Sequence, residues 1–180
     1  STSSITLNEN ITEVHTFTAT DVDSNSITWS LSNTNDHSNF VIGSNNGTLS
    51  FNDIVDYENP NDSGNNNTFN ITVIATDSNN NSSNQNVVIT IQNLDDTAPL
   101  ISGPSGSPGD AETTISINEN QTFVHQFTAT DIDSDDSTIT WSLNGGIDES
   151  KFSIDSSTGN LTFNTAPDYD NTTDNNNNNT

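Results

Sequence analysis

The sequence predicts an all-β protein: tandem immunoglobulin-like Greek-key β-sandwiches, the second copy truncated. Three observations predict it. Apolar residues fall in short alternating runs, the period-two pattern of half-buried strands, and no helical period survives anywhere. Asn, Ser, Thr, Asp and Gly fill the gaps, as turn residues do. Finally, the chain repeats itself. Residues 5–10 (Ile-Thr-Leu-Asn-Glu-Asn) match 115–120 (Ile-Ser-Ile-Asn-Glu-Asn), and 17–24 (Phe-Thr-Ala-Thr-Asp-Val-Asp-Ser) match 127–134. Residues 27–31 (Ile-Thr-Trp-Ser-Leu) recur unchanged at 139–143. Residues 47–51 match 159–163, and Asp56-Tyr57-Glu58 matches Asp168-Tyr169-Asp170. A period of 110–112 residues exceeds the ~20–50 of a solenoid unit and lies near the ~100 of one immunoglobulin-like sandwich.

Copy one reads as seven strands. Residues 5–7 form the first, and 14–20 the second, with Phe17 and Ala19 on one face. In 26–31, Ile27, Trp29 and Leu31 point one way. Residues 40–42 and 48–51 flank Asn45-Asn46-Gly47, a hairpin-turn signal. In 69–76, Phe69, Ile71, Val73 and Ala75 face inward, and 86–92 closes the sandwich. The expected domains are repeat one over 1–99, a Gly/Pro/Ser linker over 100–114, and a partial repeat two over 115–180 lacking its last two strands. Thr180 aligns with Thr68, so repeat two should expose half of its apolar interior and yield to protease before repeat one. The polar tail 174–180 is expected to be mobile. The chain opens at Ser1 without a methionine and reads as an internal piece of something longer.

Charge narrows the function. The 180 residues carry 25 acidic groups and one basic one, Lys151, for a formal net charge of −24. Binding nucleic acid needs Lys and Arg, so that partner is excluded, and an anionic membrane surface would repel the chain. Dense carboxylate instead suits hard cations, which prefer oxygen ligands. The hydrophobic fraction of 27% is below the ~45–50% of an ordinary globular domain, which alone would suggest disorder; the clean alternation argues against it. There are no cysteines, hence no disulfides, and no stretch approaches the ~20 apolar residues of a membrane span.

The acids recur at fixed places. Glu9 and Glu119 end the first strand of each copy. Asp21/Asp23 and Asp131/Asp133 form Asp-x-Asp after the second. Asp56/Glu58 and Asp168/Asp170 flank a tyrosine, and copy one adds Asp77, Asp95 and Asp96. Strand ends gather at the two poles of a sandwich. Glu9, Asp56 and Glu58 are expected at the pole of the exit linker, and Asp21, Asp23 and Asp77 at the other. The junction of the copies would then collect Glu9, Asp56, Glu58, Asp95, Asp96, Asp131 and Asp133. A like-charged pair at ~4 Å costs about 4 kcal/mol at an effective dielectric of 20, and one lysine cannot compensate. Calcium can, with 6–8 oxygen ligands in flexible geometry, whereas magnesium prefers to keep its waters.

The Asn-Glu-Asn, Ala-Thr-Asp-x-Asp-Ser, Asp-Tyr-Glu, Ala-Thr-Asp and Asn-Leu-Asp-Asp-Thr-Ala-Pro elements, in this order, resemble those of cadherin repeats. The Asn/Thr-rich loops and the linker resemble the cadherin-like domains of large bacterial surface and adhesin proteins. The resemblance implies Ca2+ as the cofactor, with Glu9, Asp56, Glu58, Asp95, Asp96, Asp131 and Asp133 as ligands of the inter-repeat site. By the same match, Asp21, Asp23 and Asp77 would serve a preceding repeat, and Glu119, Asp168 and Asp170 a following linker. Asn93 and Thr97 stand where the family has aspartate and asparagine, and the span from Pro99 to Glu119 is longer. These departures imply one or two ions rather than three.

Other motifs have plainer readings. His15 and His125 recur at one strand position without a second ligand, so they read as surface strand residues rather than zinc ligands. Trp29 and Trp141 alternate with Ile and Leu and read as core rather than a sugar platform. Carboxylate pairs that repeat with the domain are not an active site, and no phosphate loop or nucleophile elbow is present, so no enzyme is expected. The expected function is a calcium-binding extracellular repeat segment, a rigidified spacer or adhesion module of a large surface protein. Its partners would be neighbouring repeats of the same chain, with cell-surface proteins or glycans beyond. The alternative is a carbohydrate-binding accessory module of a secreted enzyme.

Overall fold

Alternation becomes two sheets in the first half of the chain. The structure, a computed structural model, describes residues 2–23, 26–133 and 139–172, and the chain divides into two units, Ser1–Asp95 and Asp96–Thr180. The first unit has the strands β1 (Thr2–Asn8), β2 (Glu13–Thr16), β3 (Thr28–Leu31), β4 (Phe40–Ile42), β5 (Thr48–Phe51), β6 (Thr68–Thr76) and β7 (Ser82–Gln92). One sheet has the order β1-β7-β6-β3 and the other β2-β5-β4. All neighbours are antiparallel except β1, which runs parallel to β7 from Thr2 opposite Asn86 to Asn8 opposite Gln92. That pairing brings the C-terminal ends of β1 and β7 to the same pole.

The inner faces meet as the alternation requires. Phe69, Ile71 and Val73 of β6 and Val87, Ile89 and Ile91 of β7 are buried against Val14, Phe40, Leu49 and Phe51 of the second sheet. Phe69 stands edge-on to Phe40 and Phe51, with ring centroids at 5.5 and 5.1 Å. Aromatic pairs in such geometry add about 0.5–1.5 kcal/mol to their area burial. Trp29 packs against this core beside Phe17, centroids 6.1 Å apart.

The second unit keeps one of these sheets. Its strands are β8 (Leu100–Ser102), β9 (Phe123–Gln126), β10 (Thr128–Thr130), β11 (Phe152–Ile154) and β12 (Asn160–Phe163). The sheet β11-β12-β9 reproduces β4-β5-β2, down to the ring pair Phe152–Phe163 at 4.4 Å against Phe40–Phe51 at 4.5 Å. Residues 115–117 and 140–143, matching β1 and β3, form no strand. In the first unit those strands pair in the sheet with β7 and β6, and among the described residues of 115–180 no such hairpin is formed. Phe152, Leu161 and Phe163 are consequently half-exposed, where Phe40, Leu49 and Phe51 are buried.

Two local expectations change. The second strand stops at Thr16 rather than Thr20, and Ala19 is exposed. Its counterpart Ala129 is 5% exposed because β10 pairs with β8, a strand formed by three residues of the Gly/Pro/Ser stretch. An edge partner, not the residue, decides whether this segment is a strand. The tail 174–180 lies outside the described residues.

Candidate metal centre

Glu9 follows the last residue of β1 and inherits that strand's pairing. Its N–H donates to the Gln92 carbonyl at 3.1 Å. Asn10 then adopts a left-handed φ of 64°, a conformation Asn tolerates better than most residues, and donates its N–H to the Val55 carbonyl at 3.0 Å. These bonds draw the end of β1, the end of β7 and the 55–58 loop together. The Glu9 side chain is 2% exposed. Its Oε2 accepts the N–H of Tyr57 at 2.7 Å and its Oε1 the N–H of Leu94 at 2.8 Å.

Asp56 and Glu58 flank Tyr57, so the bond to Glu9 also sets their carboxylates. One oxygen each of Glu9, Asp56 and Glu58 lies within 4.8 Å of the others. Glu9 is buried, Glu58 half-buried and Asp56 exposed, so the cluster opens to solvent on one side. A carboxylate has about four lone-pair sites, so Glu9 retains acceptor capacity beyond its two N–H bonds. The donor set is all oxygen and all anionic, which fits a hard cation.

The other acids divide by unit. Asp21 and Asp77 line one surface depression of the first unit with Thr20 and Asn81, as expected for a shared pole. The Asp23 N–H bonds to Asp21 Oδ1 at 2.8 Å. Asp77 is held below the ordinary carboxylate range by the Asn81 side chain and then the Asn81 and Asn79 N–H groups. Among the described residues these three do not converge as Glu9, Asp56 and Glu58 do. Asp95, exposed, follows Leu94 directly.

In the second unit the Asp133 N–H bonds to Asp131 Oδ1 at 3.1 Å. Asp133 Oδ2 accepts the N–H of Asp96 at 2.9 Å and also that of Thr97. The linker acid Asp96 and the Asp-x-Asp pair thus belong to one structural element. Glu119 repeats half of the Glu9 arrangement: its Oε2 accepts the Tyr169 N–H at 2.8 Å, and Asn120, φ 61°, bonds to Pro167. Glu119 is nevertheless exposed and forms no such cluster with Asp168 and Asp170 among the described residues. The second donor to Glu9 comes from the segment after β7, which has no counterpart among the described residues of 115–180.

Two further carboxylates were not singled out from sequence. Asp36, 2% exposed, accepts the Ser63 and Asn70 N–H groups, each at 2.7 Å. Asp62, 3% exposed, accepts those of Gly64, Asn66 and Asn67. Both brace the long loop before β6. The available signal was Asp62-Ser63-Gly64, an Asx-turn pattern. No histidine joins a metal-holding cluster among the described residues.

The cadherin domain family model matches residues 3–92, half of the chain. The chain belongs to the cadherin family. Cadherin domains are extracellular, calcium-binding adhesion modules, and none of the described helices is long and apolar enough to cross a membrane. The chain is similar in fold to human protocadherin-24 EC1-2, with TM-score 0.72 and 21% identity over 95% of this chain and 78% of that one. It is similar to mouse cadherin-23 EC22-24, with TM-score 0.63 and 26% identity over 94% of this chain and 54% of that one. It is also similar to Drosophila N-cadherin EC1-4, with TM-score 0.67 and 19% identity over 94% and 40%. No curated protein matches this cadherin chain in sequence.

Proposed function

We propose that Glu9, Asp56 and Glu58 bind calcium and that the ion stiffens a string of such repeats, so that the parent surface protein extends outward as a spacer for adhesion. The observation that carries this reading is the convergence of three carboxylate oxygens within 4.8 Å. Such a group repels itself and calls for a counter-charge, and the chain has one basic residue. Calcium accepts irregular oxygen shells, whereas magnesium demands a near-ideal octahedron.

We extend the ligand set to Asp95, Asp96, Asp131 and Asp133 on the order of the family motifs. The bonds from the Asp96 and Thr97 N–H groups to Asp133 support the extension. Asp21, Asp23 and Asp77, and likewise Glu119, Asp168 and Asp170, are proposed as portions of equivalent sites toward neighbouring repeats. The Asn- and Thr-rich loops favour a bacterial surface protein as the parent. The role is mechanical and adhesive rather than enzymatic.

Calorimetric titration of the 180-residue chain tests the reading. Calcium should bind, raise the thermal midpoint of the first unit, and lose both effects with a chelator. The variant Glu58→Gln should bind more weakly. A wild-type chain showing no heat of binding and no midpoint shift overturns the proposal.

A further inference from the structure

We propose that Asn67 is a positioning residue for the cation site, setting the backbone between Asp56 and Glu58 through its side-chain amide; the proposal rests on reading Glu9, Asp56 and Glu58 as calcium ligands. Asn67 Nδ2 donates to the Tyr57 carbonyl at 2.9 Å. On the other side of the same residue, the Tyr57 N–H donates to Glu9 Oε2 at 2.7 Å. Both backbone polar groups of Tyr57 are therefore tied, one to a ligand and one to Asn67. The two peptide groups flanking the Tyr57 Cα are each held by one of these bonds, so neither rotates freely and the carboxylates on either side keep their spacing.

Asn67 is itself immobilised. Its N–H donates to Asp62 Oδ2 at 2.9 Å, and its carbonyl accepts the Ile91 N–H of β7 at 2.9 Å. The buried Asp62 wraps the turn by accepting the Gly64 and Asn66 N–H groups as well. Asp36 fastens the same turn to β6 through Ser63 and Asn70. The path from the core to the site thus runs from Asp62 to Asn67 to Tyr57 and ends at Asp56 and Glu58. The residue types recur in the second copy, where Asp148, Asp174 and Asn179 match Asp36, Asp62 and Asn67 in sequence.

The left-handed φ of 60° at Asn67 makes the test clean. Glycine adopts that conformation without strain, so Asn67→Gly keeps the turn and the bond to Asp62 and removes only the amide that holds Tyr57. Calcium is titrated into the full chain and followed at the Tyr57 amide resonance, alongside the thermal midpoint without calcium. The expected result is a Tyr57 amide shifted already in the calcium-free variant and an affinity about 2- to 10-fold weaker, the factor one hydrogen bond controls. A variant whose affinity and Tyr57 resonance match wild type overturns the assignment, as does a lowered midpoint with unchanged affinity, the mark of a purely structural role. A wild-type chain that fails to bind calcium overturns the ligand reading itself. Wild-type binding equalled by Asn67→Gly overturns only the role of Asn67.

Discussion

The Tyr57 N–H donates to Glu9 Oε2 at 2.7 Å, joining a buried acid at the end of β1 to the middle of a loop 48 residues later. This bond makes one cluster of two sequence motifs that are otherwise independent. It also gives Glu9 a second structural duty, because the same carboxylate accepts the Leu94 N–H.

Replacement of Glu9 by Gln should therefore cost stability before any ion is added. A glutamine presents one N–H2 group where both carboxylate oxygens now accept, leaving a buried donor without a partner. Such an orphan costs about 1–3 kcal/mol. Glu119→Gln, at the exposed counterpart, should stay within about 0.5 kcal/mol, as surface substitutions do. Chelator-treated thermal melts of the two variants check the contrast; equal shifts would contradict the burial argument.

Gly47 should not tolerate alanine. Its φ is +68°, and a Cβ there would sit 2.6 Å from the Phe17 carbonyl oxygen and 3.0 Å from the Trp29 ring. The left-handed backbone alone costs an L-residue about 1–2 kcal/mol, and the Phe17 N–H bond to the Gly47 carbonyl keeps the two segments close. Gly47→Ala should lower the first unit's midpoint and alter Trp29 fluorescence. An unchanged midpoint would show that the turn can re-form.

Limited proteolysis should cut within 115–170 before 5–95. Phe152, Leu161 and Phe163 keep the sheet geometry of the first unit but lack the cover that β6 and β7 provide there. Local opening is cheap where few apolar contacts close it. Cleavage in the opposite order would show that the second unit is held by something other than this sandwich core.

The turn at Asp155 should loosen only in strong acid. Hydrogen bonds from the Thr158 N–H, the Thr158 hydroxyl and then the Ser157 N–H hold the Asp155 carboxyl below its ordinary value of 3.8. A lowered folded value means the contribution is fully present above 3.8 and fades as pH falls through the folded value. A carboxyl titration by NMR should show Asp155 protonating below pH 3.8, with the Thr158 amide shifting in step. A midpoint at or above that value would contradict the bonds.

Much of the fold was legible because strands write their burial locally. The alternation of Phe69, Ile71 and Val73 and of Trp29 and Leu31 named the faces that pack, and the repeat marked two copies of one sequence pattern. The pairing of Glu9 with Asp56 and Glu58 was legible too, because strand ends gather at poles. Asp36, Asp62 and Asn67 were not, since a loop acid that binds backbone N–H groups has the same local sequence as one that faces water.

By itself the sequence determined the inward faces of β3 and β6, the order of the acid motifs and the family. Only the tertiary structure decided which equivalent residues share an environment. Ala19 is exposed and Ala129 buried, and Glu9 is buried while Glu119 is exposed. The motifs around each pair are nearly the same. The difference comes from β8 in one case and from the segment after β7 in the other, because hydrogen-bond partners and burial are supplied by chain far away in sequence.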